Sequence, residues 1–501
     1  MTERVAVIGA GMAGLFVALA LAPTGREITL YERDPPPPEG GPEAAFEHWS
    51  RRGVGHLRHS HGFLARLENL IAREHPALLD ELRAAGVREF GFVDSLPADL
   101  RATYQPKAGD GDLNAMVSRR TTLECVMRRQ VEALPNVTLK SDVFVRAPIF
   151  ERRDAGLTAV GLRLEEGGET RDVAADLVID AGGKGSAAID ALADAGVSIP
   201  EEDEACAILY YTRFYRLRPD QAEPSPGSVG TTGDLGYLKF GVFRADARTF
   251  SVTLAVPEVE ETLRAQVVRP EVYERICELL PGIAPWTDPE RAEPITRVLG
   301  MGDLTSRWRE FAPGGAAAVL NYFPVGDTLV RTNPLYGRGC TFAAVEAHLL
   351  RDALAESADP AERLVRYTAK VRDQLRPYYD DMVSQDRGSA ARALNGLNPD
   401  YRASRRARLA GSFAREGVAA AVRADPELLR LALRSFHMLD PPGAWAKRPA
   451  TLGKAARTWI RRRLTRAEPI VVAAGPRRGE MFTRLGLSLR ADYDRRTWGE
   501  T

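Results

Sequence analysis

The first thirty-four residues constrain the fold of this chain more than any other stretch. An apolar run at Arg4–Ile8 leads directly into a glycine-rich turn at 9–14, and an Ala-rich apolar stretch follows over 15–21. A second apolar run at 28–31 ends at Glu32. The order strand, glycine-rich turn, helix, strand and acid is the dinucleotide-binding βαβ pattern. The sequence therefore predicts an α/β fold with a nucleotide site near its N-terminus.

Each residue type in this pattern has a physical role. Gly9 permits a tight turn, Gly11 lets a pyrophosphate approach the backbone, and Gly14 lets the helix lie close to the sheet. The helix N-terminus offers unpaired N–H groups to the phosphates. Glu32 is placed to accept hydrogen bonds from ribose hydroxyls. The predicted nucleotide-contacting residues of this region are Gly9, Gly11, Met12, Ala13, Gly14, Glu32 and Arg33.

Composition limits the function classes. The 501 residues carry no net charge, which gives no general argument for nucleic-acid binding, and no apolar run approaches membrane-spanning length. The four cysteines lie far apart without a CxxC pair, so we expect reduced, buried thiols and no metal site. Because the chain begins almost directly with the fingerprint strand, we expect no cleaved signal peptide and a cytoplasmic protein.

Two later stretches also place an acid and glycines after an apolar strand. Asp180 is followed by Gly182 in the run Asp-Ala-Gly-Gly-Lys-Gly-Ser, and Gly326–Asp327 follows an apolar strand near 320–325. A helix is predicted over 341–354, and its start is preceded by a loop that also favours close backbone approach to an anion. The residues of interest in this loop are Pro334, Tyr336, Gly337, Gly339 and Cys340.

Four of the seven histidines fall between His48 and His61, the others being His56 and His59. This spacing is poor for zinc. A surface loop without a special role remains an alternative, but the glycines nearby favour a loop close to the cofactor or active site.

Other segments have recognisable patterns. Arg120 lies at the start of a helix that Thr121 or Thr122 is predicted to cap, and it is either an anion contact or an ordinary surface arginine.

Residues 206–256 are rich in β-branched and aromatic residues and predict an antiparallel sheet carrying Tyr211 and Arg213. One helix is predicted over 258–280 and several over 360–435.

The three glycine–acid motifs together resemble those of the flavoprotein monooxygenases of the para-hydroxybenzoate hydroxylase fold, including styrene-monooxygenase-like and geranylgeranyl-reductase-like relatives, over about residues 1–355. The resemblance implies that FAD is the cofactor. It implies that Arg120 lies near the FAD phosphates or ribityl chain, that Asp180 and Gly182 match the Asp-Gly turn, and that Asp327 holds the ribityl chain. The loop from Pro334 to Cys340 would lie beside the flavin ring.

The resemblance also implies a domain plan: a Rossmann-like FAD-binding domain with a parallel sheet, an inserted antiparallel substrate domain and a C-terminal helical region. The expected FAD-binding segments are 1–85, 116–200 and 296–358. The expected substrate-domain segments are 86–115 and 201–295, and the helical region is 359–501.

The activity implied is that of a monooxygenase, a hydroxylase or epoxidase acting on a hydrophobic organic substrate through a flavin C4a-hydroperoxide. A reductase acting on C=C bonds and a non-catalytic flavoprotein remain alternatives. A halogenase is disfavoured, because those relatives use an N-terminal lysine and a Trp-x-Trp-x-Ile-Pro motif, and this chain has no lysine before Lys107. The second motif leaves open whether NADH or NADPH reduces the flavin directly or through a separate reductase. Residues expected to face the active site are His59, His61, Pro334, Tyr336 and Gly337, with Tyr211 and Arg213 on the antiparallel sheet.

The segment 441–467 is basic, contains no acidic residue and has aromatic and aliphatic residues interleaved with its bases. A helix face packed on the FAD-binding domain is the favoured interpretation. Contact with an anionic membrane surface or with an acidic partner remains open. The sequence is compatible with a monomer or a homodimer.

Overall fold

The structure is a computed structural model that describes residues 2–225, 229–467 and 474–496. Its strands are β1 Arg4–Ile8, β2 Glu27–Tyr31, β3 Arg88–Phe90, β4 Ala115–Val117, β5 Val137–Lys140, β6 Phe144–Arg153, β7 Gly156–Glu166, β8 Glu169–Ala174, β9 Leu177–Asp180, β10 Glu201–Ala205, β11 Ile208–Leu217, β12 Thr232–Asp234, β13 Lys239–Arg244, β14 Thr249–Pro257, β15 Ala292–Pro294, β16 Leu299–Met301, β17 Thr305–Arg309, β18 Tyr322–Pro324 and β19 Val330–Arg331.

Helices of very different lengths connect and follow these strands. They are α1 Met12–Leu21, α2 Gly41–His48, α3 Ala65–Glu74, α4 Pro76–Ala84, α5 Phe92–Ser95, α6 Ala98–Arg101, α7 Arg120–Glu132, α8 Ala188–Asp194, α9 Glu261–Val267, α10 Pro270–Leu279, α11 Ala284–Thr287, α12 Gly339–Glu356, α13 Pro360–Leu397, α14 Arg405–Ser412, α15 Ala420–Ala424, α16 Pro426–Phe436, α17 Pro449–Leu464, α18 Arg478–Arg484 and α19 Ala491–Asp494. A π-helical turn, Phe413–Ala419, joins α14 to α15.

A five-stranded parallel sheet has the strand order β18-β9-β1-β2-β5. Since the strands run the same way, their carboxyl ends lie along one edge. The chain leaves this edge at Gly9 after β1, at Glu32 after β2, at Ala181 after β9 and at Val325 after β18. The sheet thus brings the three glycine–acid motifs together. Helices α1 and α12, both largely buried, contact each other.

The contacts divide the chain into two units. The first comprises Met1–Val87, Ser118–Ala205 and Thr305–Met382, and the second comprises Arg88–Val117, Cys206–Leu304 and Val383–Thr501. The parallel sheet lies in the first unit. The second contains an antiparallel sheet of order β12-β13-β14-β11-β15, with β16 also paired to β11. The predicted fold class, a parallel-sheet domain with an inserted antiparallel sheet and C-terminal helices, is confirmed.

The antiparallel sheet forms its own core, which helices from distant parts of the chain complete. Tyr215 stacks on Phe250 with ring centroids 5.3 Å apart, and Trp286 meets Phe250 edge-on at 5.1 Å. Met481 and Phe482 of α18 are buried in this same core. The residues at 474–496 are therefore an integral part of the second unit.

Two local expectations were wrong, and one helix was not predicted. The helix predicted over 258–280 is two helices, α9 and α10, because Pro270 begins a new helix rather than continuing the old one. Neither Thr121 nor Thr122 caps α7; the helix begins at Arg120, and both threonines are buried in its first turn. Helix α2 was not predicted, because its prolines and glycines resemble a loop, yet Pro42 lies in the first turn, where proline is tolerated.

None of the helices in the described ranges is long and apolar enough to cross a membrane.

Candidate functional site

The turn between β1 and α1 is packed too tightly for side chains on one side and is open on the other. Gly9 has φ +87°, and a Cβ on Gly14 would lie only 2.0 Å from the Gly9 carbonyl oxygen. A Cβ on Gly11 would meet no atom within 4 Å. Gly11 is also the N-cap of α1 and has no side chain to cap its N–H groups. The open side therefore exposes helix N–H donors to an anion.

Glu32 lies at the end of β2 beside this turn and is buried. Its Oε2 accepts from the Ala10 N–H at 2.8 Å and from Arg51 at 2.9 Å, and its Oε1 accepts from the Asp34 N–H at 3.0 Å. A carboxylate offers about four acceptor positions. Protein donors occupy three of them, so one position on Oε1 remains for a ribose hydroxyl.

Arg51 organises a buried charge cluster around Glu32. Its guanidinium contacts Glu32, Asp34 at 3.3 Å and Glu124 at 2.9 Å, and only 2% of its side chain is exposed. Glu124 in turn accepts from Arg120 at 2.6 Å. We call these five residues the Arg51 cluster. Sequence reasoning missed Arg51, because nothing in the pattern separates it from the exposed Arg52 next to it.

Hydrogen bonds to Asp180 stabilise the second motif, the turn that follows β9. Asp180 is fully buried, and its carboxylate accepts from the Gly182 N–H at 2.8 Å, from the Tyr322 hydroxyl at 2.6 Å and from Ser186. A Cβ on Gly182 would lie 3.0 Å from the Asp180 Oδ1. Asp180 therefore shapes the turn that follows β9, while its predicted contact with a cofactor stays a prediction.

The third motif approaches the first one directly. Gly326 has φ +68°, and a Cβ there would lie 2.9 Å from the Cβ of Ala13 in α1. In the described part of the chain, no group donates a hydrogen bond to the Asp327 carboxylate. Burial raises the Asp327 pKa, and the charges of Arg331 and Arg120 oppose this rise. Asp327 thus presents an unoccupied acceptor next to the start of α1.

Glu346 stabilises the Gly326–Asp327 turn. Sequence reasoning did not predict this role. Glu346 is fully buried in α12, where its Oε2 accepts from the Gly326 N–H, and burial raises its pKa well above the usual value. Its Oε1 has no hydrogen-bond partner among the described residues. An acid inside the apolar run Phe-Ala-Ala-Val-Glu-Ala was the available signal.

The histidine loop packs against the loop that precedes α12. Gly337 has φ +63°, and a Cβ there would lie 2.9 Å from the Gly62 carbonyl oxygen. The His61 Nδ1 lies 2.9 Å from the His59 carbonyl oxygen, so we assign the ring proton to Nδ1 and an acceptor lone pair to Nε2. The rings of His56 and His61 are 5.7 Å apart. The histidine loop therefore lies against the loop before α12, while its predicted place near the cofactor stays a prediction.

All three histidines of this loop are uncharged at neutral pH. Burial lowers the pKa of His59 to about 4 and that of His61 to about 3. Burial, with the nearby Arg120 charge, also lowers the His56 pKa well below its usual value, and the His56 Nε2 accepts a hydrogen bond from Arg120. The loop thus presents neutral imidazoles rather than cations.

A hydrogen bond, a cation–π contact and an ion pair hold the loop 333–338 before α12 in place. Pro334–Tyr336 form a short 3₁₀ turn, which the Asn333 side chain caps by accepting from the Leu335 N–H at 3.0 Å. The Arg338 guanidinium lies 5.2 Å from the Tyr336 ring centroid and pairs with Asp381 at 2.8 Å. Burial raises the Cys340 pKa to about 11, which keeps this thiol protonated.

The remaining predicted site residues make other contacts. Arg33 is exposed, and its Nη1 lies 3.9 Å from the Cβ position of Gly185. A Cβ on Gly339 would lie 3.4 Å from the Thr332 Oγ1. Tyr211 and Arg213 belong to the second unit, where they bond to the Arg264 carbonyl oxygen and to Glu274. Their predicted place at the active site stays a prediction.

The geometry can be compared with known proteins. Residues 4–126 match the family described as FAD dependent oxidoreductase (DAO). The chain therefore matches this family over its first glycine-rich motif and Glu32. Its residues fit FAD: the open side of Gly11 suits a pyrophosphate, Glu32 retains one acceptor position for a ribose, and the Asp327 carboxylate is unoccupied. Within the described ranges, no group of three or more His, Cys, Asp or Glu side chains is placed to hold a metal ion.

Two curated relatives are similar to this chain. Protein Rv3254 of Mycobacterium tuberculosis is 28% identical over 95% of this chain and 98% of its own. Kynurenine 3-monooxygenase of Salinispora tropica is 29% identical over 36% of each chain.

Solved structures establish the wider fold. The flavin-dependent halogenase CmlS has a TM-score of 0.58 at 18% identity, covering 93% of this chain and 78% of its own. The anhydrotetracycline hydroxylase OxyS of Streptomyces rimosus has a TM-score of 0.53 at 20% identity, covering 88% and 76%. The chain therefore has the para-hydroxybenzoate hydroxylase fold that the sequence resemblance indicated.

Two glycine substitutions separate cofactor binding from folding. Gly11→Ala introduces a methyl group into open space at φ −79°, so the fold should persist while FAD affinity falls by roughly tenfold or more. Gly14→Ala places its Cβ against the Gly9 carbonyl oxygen and should lower the thermal unfolding temperature. Fluorescence titration of apoprotein with FAD, together with thermal unfolding, measures both effects. A Gly11→Ala protein with wild-type affinity would contradict this assignment of the pyrophosphate.

Replacement of Arg51 by Met should lower both stability and FAD affinity. The change leaves Glu32 and Asp34 buried without their cation, a loss of about 3–5 kcal/mol in the free energy of unfolding, and it frees Glu32 to move. Arg128→Met is the matched control, since Arg128 is equally buried but bonds to Glu132 and Ser141 instead. It should lose stability and keep FAD affinity. Equal affinity in both folded variants would refute a role for Arg51 in cofactor binding.

Because the loop histidines are neutral in the folded protein, the stability of the fold should decrease at acidic pH. The folded-state pKa of His59, about 4, lies below its ordinary value of 6.5, so the unfolded chain binds more protons at acidic pH. The free energy of unfolding should fall as pH drops from about 7 towards about 4, and His59 alone should contribute about 2 kcal/mol by about pH 5. Urea unfolding across this range measures the slope. His59→Asn should flatten it, and His48→Asn, at an exposed position, should leave it unchanged.

Proposed function

We propose that this FAD-dependent oxidoreductase is a monooxygenase that inserts one oxygen atom from O₂ into a hydrophobic organic substrate. The other oxygen atom leaves as water, and NADH or NADPH supplies the two electrons, either directly or through a separate flavin reductase. FAD carries the electron chemistry, while the protein binds, orients and excludes water.

The observation that carries the proposal is a set of neutral side chains beside the start of α12. His59, His61 and the Cys340 thiol are all neutral at physiological pH. With these pKa values, neither a thiolate nor an imidazolium is available there for nucleophilic catalysis or storage of a proton. Oxygen transfer from a flavin requires neither group, and these neutral, desolvated side chains suit a hydrophobic substrate.

Each part of the site has a role in this proposal. The α1 N-terminus binds the pyrophosphate, Glu32 binds the adenosine ribose, and Asp327 binds the ribityl chain. The Gly337–Gly62 contact holds the histidine loop beside the flavin ring. The His61 Nε2 accepts a hydrogen bond from substrate or water, because a pKa of about 3 prevents it from holding a proton.

The comparisons support oxygen transfer over halogenation. Kynurenine 3-monooxygenase, by its name, is a monooxygenase, and its similarity to this chain is in sequence. The halogenases are similar in fold only, at 16–18% identity. The sequence also lacks the N-terminal lysine that the halogenases use.

Stopped-flow spectroscopy of the purified holoprotein tests the proposal. The flavin is reduced anaerobically with NADH, NADPH or, if neither reacts, dithionite, and then mixed with oxygenated buffer. We expect reoxidation in two steps, through a transient species that is neither oxidised nor reduced flavin. His59→Ala/His61→Ala should shorten the life of this species, because water enters, while His48→Ala should not.

The alternative functions give different results. Slow, single-step reoxidation would refute the monooxygenase and favour a reductase of C=C bonds. Bleaching by NADH or NADPH would show direct reduction, whereas bleaching by dithionite alone would indicate a separate reductase. A purified protein with no affinity for FAD would refute the whole assignment.

A further inference from the structure

The charge of this chain is strongly segregated along the sequence. Residues 401–467 contain sixteen Lys and Arg and four Asp and Glu, a formal charge of +12, in a chain whose net charge is zero. The rest of the chain therefore carries −12. Such a local excess of bases indicates contact with an anionic partner rather than a general requirement for solubility.

The same region exposes an unusual share of the large hydrophobic side chains. Eleven such side chains are exposed in the described part of the chain, and six of them lie within residues 401–467. Scattered exposed hydrophobic residues need no explanation, but a concentration of them marks an interaction surface. Leu464, with 79% of its surface exposed, is the most exposed of all.

Helix α17 arranges both features on one face. Leu452, Ala456, Ile460 and Leu464 follow one another at intervals of four residues and so form a strip along one side of the helix. Leu452 is 43% exposed and Ile460 52%. Arg457 and Arg461 are exposed and form the adjacent row. Within the described ranges, no carboxylate lies within ion-pair distance of either arginine.

The opposite side of α17 is fixed by packing inside the second unit. Thr451 and Ala455 are buried, and the Ala455 carbonyl oxygen lies 3.1 Å from the Cβ position of Gly417 in the π-helical turn. The Trp459 indole donates to Ser412 at 3.1 Å, and Arg462 pairs with Glu416 at 2.8 Å. The strip of four apolar residues therefore points away from its own unit.

We propose that this outer face of α17 docks on the surface of an anionic phospholipid bilayer. Ile460 and Leu464 would enter the headgroup region, and Arg457 and Arg461 would contact lipid phosphates. A convex strip of aliphatic side chains flanked by arginines matches an interfacial helix, which lies in the plane of the membrane. A nucleic acid would engage the arginines but not the aliphatic strip, so the lipid surface accounts for both features. This surface is independent of the proposed oxygenase activity.

Co-sedimentation of the full-length holoprotein with vesicles tests this proposal. One set of vesicles is phosphatidylcholine alone, and the other contains about one quarter phosphatidylglycerol. We expect binding to the anionic vesicles only, and weaker binding when NaCl rises from about 100 mM to about 500 mM. Arg457→Gln/Arg461→Gln should weaken binding about 25-fold, at about fivefold per charge. Ile460→Ser/Leu464→Ser should weaken it by roughly tenfold or more.

Matched controls lie in the same unit but outside the basic region. Val268→Ser removes an equally exposed aliphatic side chain, and Arg275→Gln removes an exposed arginine; both should bind as the wild type does. Flavin content and circular dichroism verify the fold of every variant. Absence of binding to anionic vesicles would overturn the proposal, as would equal binding to neutral vesicles. Full retention of binding by the Ile460→Ser/Leu464→Ser variant would also overturn it.

Two other partners would give distinct results. Tighter binding to duplex DNA than to the vesicles would replace the lipid surface with a nucleic acid. A dimer in light scattering that the Ile460→Ser/Leu464→Ser change abolishes would assign the strip to a second copy of the chain. Either result overturns the proposal.

Discussion

The first unit depends on three backbone approaches that leave no room for a Cβ atom. The Gly14 position lies 2.0 Å from the Gly9 carbonyl oxygen, the Gly9 position 2.8 Å from the Ala181 carbonyl oxygen, and the Gly326 position 2.9 Å from Ala13. These contacts join the loops that follow β1, β9 and β18 at one edge of the parallel sheet. Helix N–H groups, the acid predicted to bind the ribose and a free carboxylate can face one extended cofactor only because these loops come so close.

The Arg51 cluster has a different role. Buried ion pairs contribute little net stability, because desolvation of each charge offsets much of the attraction between them. Their value here is orientation: Arg51 and the Ala10 N–H leave the Glu32 carboxylate one direction in which to accept a further hydrogen bond. Glu346 does the same for Gly326, from whose N–H it accepts, and so fixes the Gly326–Asp327 turn. In both arrangements, a buried acidic side chain lies next to residues that are predicted to contact the cofactor.

Sequence reasoning correctly predicted the elements whose residues are close together in the chain. The glycine-rich turn, the strands that flank it and the acid after β2 are adjacent in the chain, so their spacing predicts their geometry. It failed where the partner is distant. Arg51 meets Glu124 seventy-three residues away and Glu346 meets Gly326 twenty residues away, and no periodicity encodes either pairing. The helix expected over 258–280 failed for a local reason, since the effect of Pro270 was underestimated.

The sequence by itself determined the cofactor-binding βαβ unit, the class of the fold and the segregation of charge, because each rests on residue type and spacing along the chain. Tertiary structure decided which residues share a site. The parallel sheet brings Asp327 to α1, and the contact between Gly337 and Gly62 brings the histidine loop to α12. It also decided the charge states. His59 and His61 are neutral because burial removes water from their rings, and burial depends on packing between segments that are far apart in sequence.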